Sequence, residues 1–235
     1  MVLPAKMFEI KGDASLQDIY DGLRGLREEE PFEGSDGQTL SLVTEVLDLE
    51  LGEDRVSGVF SRDYVRTRTY RRRAVEAPTT EEAPFWAVPH GGRMFLMVVA
   101  PSVARGVKKM LTGHVANRLS EALFGRVGFI VEARIPHETL VALHESNPQA
   151  TKLIWFDDVD IPAVEKLCLA GSGLADTGLY REYLQHGKIW YVVFEGQKRG
   201  VTVGITRGGV VTLFSRSSLD EFVRYITEDL LGLVE

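Results

Sequence analysis

The sequence has a single cysteine, Cys168, in 235 residues, which excludes an internal disulfide framework. It also has no long apolar run. The longest, residues 94–100, stops at Pro101, far short of the roughly 20 residues that span a bilayer. Residues 1–11 lack the charged-then-apolar pattern of a secretory leader. The expectation is a soluble, cytoplasmic protein with no membrane partner. Cys168 lies in an apolar stretch, residues 164–170, and reads as a buried, unreactive thiol. Asn and Gln are scarce and Arg far outnumbers Lys, a composition that fits a thermophilic source.

Catalytic signatures are largely missing as well. There is no G-x-S-x-G nucleophile elbow. Gly171-Ser172-Gly173 lacks both the third glycine of a dinucleotide site and the lysine of a P-loop, and reads as a turn. His137-Glu138 lacks the second histidine that a zinc protease helix needs, and the five histidines show no diagnostic ligand spacing. Glu9-x-Lys11 has no preceding acidic strand residue to complete a nuclease core. Asp157, Asp158 and Asp160, followed by Glu165, form the one tight carboxylate cluster. Turn and helix-cap roles suit aspartates before Ile161-Pro162. The alternative is a Mg²⁺-dependent nuclease or phosphotransferase, because Mg²⁺ takes oxygen ligands of this kind. No cofactor is expected.

Apolar residues make up 44% of the chain and charged residues 26%, so it can build a core and is not disordered. Its net charge of −7 is unevenly placed. Residues 1–54 carry 14 acids against 4 bases, whereas residues 55–73 carry seven arginines against Asp63 alone. Residues 83–120 contain no acid and five bases: Arg93, Arg105, Lys108, Lys109 and Arg118. Two basic blocks in an acidic chain give a strong local field of the opposite sign.

Hydrophobic periodicity predicts an α+β protein of antiparallel β-meanders with packed amphipathic helices. The first helix is expected over residues 16–26, capped by Asp13 or Ser15, and the longest over residues 103–124, closed by Gly125. Residues 39–51 and 56–70 read as two strands of a hairpin, and residues 28–37 as an exposed acidic loop. Residues 161–169 fit either a helix or a strand. Strands are expected over residues 93–100, 129–135, 153–156, 188–194, 201–206 and 210–215, and Ser218 should cap a final helix. Pro78 and Pro84 among threonines and acids mark a linker, which divides the chain into residues 1–76, a linker or mobile loop 77–91, and residues 92–235.

The strongest candidate site is the strand 56–72. Side chains alternate along a strand, so one face carries Phe60, Arg62, Tyr64, Arg66, Arg68, Tyr70 and Arg72. Guanidinium groups neutralise phosphates and aromatic rings stack on bases, so this row, with Arg71 and Arg73, suits DNA or RNA. Arg105, Lys108 and Lys109 on the long helix would extend the track. The competing readings are a charged sheet edge with no ligand and an assembly surface for an acidic protein partner.

The arginine–aromatic strand 56–73, the linker, the basic helix within 93–125 and the closing meander resemble, in their order, the N-terminal half of prokaryotic Argonautes. That half consists of the N domain and its two linker segments, L1 and L2. Some short Argonautes lack it and receive it from a separate protein. The resemblance covers most of the chain and is one of arrangement. It implies a non-catalytic accessory subunit that helps to line a guide–target channel in a heterodimer.

Overall fold

A computed structural model describes residues 3–34, 37–99, 107–196 and 200–235, with the backbone alone at residues 3 and 107–110. The elements are β1 (Leu3–Ile10), α1 (Leu16–Leu23), β2 (Arg27–Glu33), β3 (Thr39–Leu51), β4 (Val56–Tyr70), β5 (Arg73–His90) and β6 (Arg93–Val99). They continue with α2 (Val107–Phe124), β7 (Ile130–Glu132), α3 (His137–Ser146), β8 (Thr151–Asp157), β9 (Leu167–Ala170) and α4 (Gly178–His186). The last are β10 (Lys188–Gly196), β11 (Val201–Thr206), β12 (Val210–Leu213) and α5 (Leu219–Tyr225). The class is α+β with antiparallel ladders, as the periodicity predicts. Among the described residues no helix is long and apolar enough to cross a membrane.

The chain forms two compact units, Ile10–Val131 and Met1–Glu9 with Glu132–Glu235. The first is a meander in the order β2-β3-β4-β5-β6. Ser15 and Asp18 start α1 with a capping box, each satisfying the other's backbone N–H. α1 buries Ile19 and Leu23, and α2 buries Leu111, Val115 and Leu119. α2 rests on the sheet face that carries Phe60, whose ring meets that of His114 at 6.0 Å. Burying each of these large apolar side chains contributes about 1.5–3 kcal/mol. Gly125 takes a positive φ of 71° and donates its N–H to the Glu121 carbonyl at 2.8 Å, ending α2 as expected.

Two expectations are corrected in this unit. Residues 28–37 are not simply a loop, because Arg27–Glu33 pairs with β3 from Arg27↔Glu45 to Glu33↔Thr39. As an edge strand, β2 tolerates Pro31, and its charged side chains discourage further pairing. The 77–91 segment is not a linker but the body of β5, and the division of the chain falls elsewhere. Its prolines fit the ladder. The two-residue turn at Arg71-Arg72 makes Tyr70↔Arg73 a hydrogen-bonded pair, so even-numbered residues of β5 point their backbone nitrogens away from β4. Pro78 and Pro84 therefore cost β4 no donor, and pairing with β6 ends at Phe85↔Val98, just before Pro84.

The second unit is ordered β1-β12-β11-β10-β8-β9. Residues 167–170 form the edge strand β9, which settles the open helix-or-strand reading. Alternation along β9 buries Leu169 and turns Cys168 outward, so the expected burial of that thiol is also corrected. Partial desolvation by its neighbours still pushes the Cys168 thiol up. Ser218 and Glu221 form a second capping box at α5, with Phe222 and Tyr225 buried beneath.

His144 on α3 is fully buried, neither ring nitrogen has a hydrogen-bond partner among the described residues, and its ring meets that of Tyr180 edge to face with centroids 4.7 Å apart. Burial holds its pKa below the ordinary histidine value, against the weaker opposing pull of Glu145 and Asp176. Desolvation likewise lowers His137 and His114. In this window the unfolded chain takes protons that the folded protein refuses. Stability is therefore level above about pH 6.5 and falls as pH drops below it. Urea unfolding at pH 7 and pH 5 measures this loss. His144→Leu should shrink the difference, and an unchanged difference would exclude His144 as a source.

Candidate nucleic-acid interface

The longest ladder in the molecule joins β4 to β5, from Val56↔Ala87 to Tyr70↔Arg73. β3 pairs with β4 only as far as Thr44↔Arg62. Where that ladder ends, Asp63 receives the N–H of Val43 at 3.1 Å and the hydroxyl of Thr80 at 2.6 Å. Among the described residues, β4 and β5 then continue outward as a two-stranded ribbon. Residues 67–76 are exposed on both strands and form an arm.

Pairing puts facing residues on the same side of a sheet, so the predicted row Phe60, Arg62, Tyr64, Arg66, Arg68 and Tyr70 lies with Ala83, Glu81, Thr79, Ala77, Val75 and Arg73. The row changes character along its length. Phe60 and Ala83 are buried at its inner end. Next comes Glu81, whose carboxylate is buried and accepts three donors: Arg62 at 3.1 Å, the Tyr64 hydroxyl at 2.9 Å and Arg66 at 3.5 Å. Both guanidinium groups lie over the Tyr64 ring, at 5.5 and 5.1 Å. Desolvation and the Glu81 charge push the Tyr64 phenol up. The same arginine lies close to α2, where burial, then Arg62 and Arg118, hold His114 below its ordinary pKa.

Arg62, Tyr64 and Arg66, all members of the expected site, therefore share an internal partner in Glu81. One carboxylate balances one of the two guanidinium charges and fixes the direction of both side chains. The outer residues differ. Arg68, Arg71, Arg72 and Arg73 are exposed and have no carboxylate partner among the described residues. Tyr70 is 64% exposed, with Arg71 over its ring at 5.5 Å.

Arg71 and Arg72 do not continue the strand but make its turn, with φ of 46° and 65°. A two-residue turn with both central residues at positive φ is ordinarily Asn-Gly or Gly-Gly, because a Cβ clashes there. The next hairpin, β5 to β6, follows that rule with Gly91-Gly92 at 58° and 75°. Placing two arginines in the equivalent turn costs roughly 1 kcal/mol or more each. The side chains there are held at the expense of the backbone.

The second basic block contributes less that is defined. Arg105 lies outside the described residues. Lys108 and Lys109 sit in the first turn of α2, on the sheet face of the arginine row, with their side chains outside the described part. Arg118 is engaged by Glu28 and Glu121. The Asp157, Asp158 and Asp160 carboxylates part company: the first two pair with Arg207, at 2.5 and 3.5 Å, and Asp160 meets His186 at 2.8 Å. Among the described residues no group of three or more ligating side chains is placed to hold a metal ion.

Models of known protein families give no match to this chain, and no curated protein matches its sequence.

Proposed function

We propose that the chain is a nucleic-acid-binding or scaffolding module that holds phosphates with the β4–β5 arm. The observation that carries this reading is the pair of arginines in a turn that favours glycine, at the tip of a ribbon whose outer guanidinium groups have no carboxylate partner among the described residues. A charged edge that merely blocks aggregation has no need to strain its own turn. On the Argonaute resemblance, the arm would form part of a guide–target channel beside a partner subunit.

The binding set is Arg68, Tyr70, Arg71, Arg72 and Arg73, with Arg62, Tyr64 and Arg66 as the braced root. Each neutralised phosphate steepens the dependence of log K on log[salt] by about 0.9 on duplex DNA and about 0.7 on a single strand. Four free arginines set a ceiling of roughly 3.6 on duplex DNA. Fluorescence anisotropy over a salt series measures the slope. Arg68→Ala and Arg73→Ala should each reduce it by about 0.9 on a duplex, while Arg66→Ala should leave it nearly unchanged. A flat salt response in the intact protein would remove the proposal. Association with an acidic protein that survives nuclease treatment, without nucleic-acid binding, would put the assembly-subunit reading in its place.

A further inference from the structure

We infer that the arm recognises duplex DNA and does so from the major groove, an inference that rests on the nucleic-acid reading above. The first ground is size. Two antiparallel strands lie about 4.8 Å apart, and the four exposed residues on each strand, 67–70 and 73–76, reach about 13 Å. The major groove of B-DNA is about 12 Å wide and about 8.5 Å deep and admits a two-stranded ribbon, whereas the minor groove is only about 6 Å wide. The corresponding groove of A-form RNA is deep and too narrow for side chains to read.

The second ground is the division of chemistry between the faces of the ribbon. Arg68, Tyr70 and Arg73 stand on one face, and the small uncharged Thr67, Thr69 and Ala74 on the other. The ribbon thus presents one cationic face, while toward its root Phe32, Gln38 and Leu40 line a recess with Ala74, Val75 and Glu76. The acid of the exposed part, Glu76, sits toward the root, away from the tip. Arginine at the tip has the fork geometry that pairs with the guanine edge in this groove.

The third ground is the shortage of stacking platforms. Binding a single strand requires aromatic faces for successive bases. Tyr70 alone offers one on the arm. The Tyr64 ring already carries two guanidinium groups, and its hydroxyl is committed to Glu81.

The test presents one sequence to the full chain as DNA duplex, RNA duplex and single DNA strand at fixed salt. The DNA duplex should bind roughly 10-fold or more tighter than either of the others, because they lose groove-directed phosphate contacts. Methyl green, which occupies the major groove, should displace the protein, and netropsin in the minor groove should not. R71A/R72A should erase the preference, with circular dichroism confirming the fold. Equal affinity for DNA and RNA duplexes, preference for the single strand, or displacement by netropsin alone would overturn the groove assignment and leave nucleic-acid binding standing. Salt-dependent binding to none of the three would overturn both.

Discussion

Replacing Arg71-Arg72 by Asn-Gly is expected to stabilise the protein and weaken nucleic-acid binding in the same molecule. Both native residues sit at positive φ, where Asn and Gly are at ease and arginine is not. Relief of the strain, less the entropy that glycine adds to the unfolded chain, should be worth about 1–2 kcal/mol. For a protein of this size that raises the melting temperature by about 2–8 °C. Two lost phosphate contacts should lower the salt slope on duplex DNA by about 1.8, which near 0.1 M salt is roughly a 50-fold loss of affinity. R71A/R72A separates the two effects: binding falls as far, but alanine retains a Cβ and the stability gain disappears. A stabilised Asn-Gly variant that binds like the native protein would show that the tip is not the contact. A variant that gains nothing would show that the turn is not strained.

The sequence is most legible where one chemistry controls one element. Ser15 and Ser218 start helices by capping, Gly125 ends one, and the β-branched and aromatic residues of the run 56–70 mark a strand before any partner is known. It is least legible where a partner decides. Residues 73–84 have two prolines and three acids, and in isolation that is loop chemistry. Only the register with β4 shows that Pro78 faces away from the ladder and that Glu81 stands opposite Arg62. The arginine row was visible as a row, but its division into bound and free members was not, because Glu81 is 19 residues away from Arg62 along the chain. Counting outward from a two-residue turn at Arg71-Arg72 gives this pairing directly. The signal that such a turn exists is hidden, since Arg-Arg is not turn chemistry. Cys168 failed for a related reason: an apolar stretch on an edge strand still sends alternate side chains to the solvent.

Glu81 gives the second large effect, and its two readouts move in opposite senses. Its side chain is 5% exposed, while those of Arg62 and Arg66 are 23% and 34% exposed. Removing one partner of a fully buried pair costs about 3–5 kcal/mol. These arginines keep some access to water, so Glu81→Ala should cost less, about 2–3 kcal/mol. Glu81→Gln keeps the volume and one acceptor oxygen and should fall between the two proteins. In the part of the population that stays folded, Arg62 and Arg66 lose their internal anion and become available to phosphates. The salt slope on duplex DNA should then steepen by up to about 1.8, even as the melting temperature drops. A drop in stability with an unchanged slope would mean that phosphates do not reach the root of the arm, and the binding surface would end at Arg68. An unchanged stability would mean that Glu81 does not brace the row, and the separation of root from tip would fail with it.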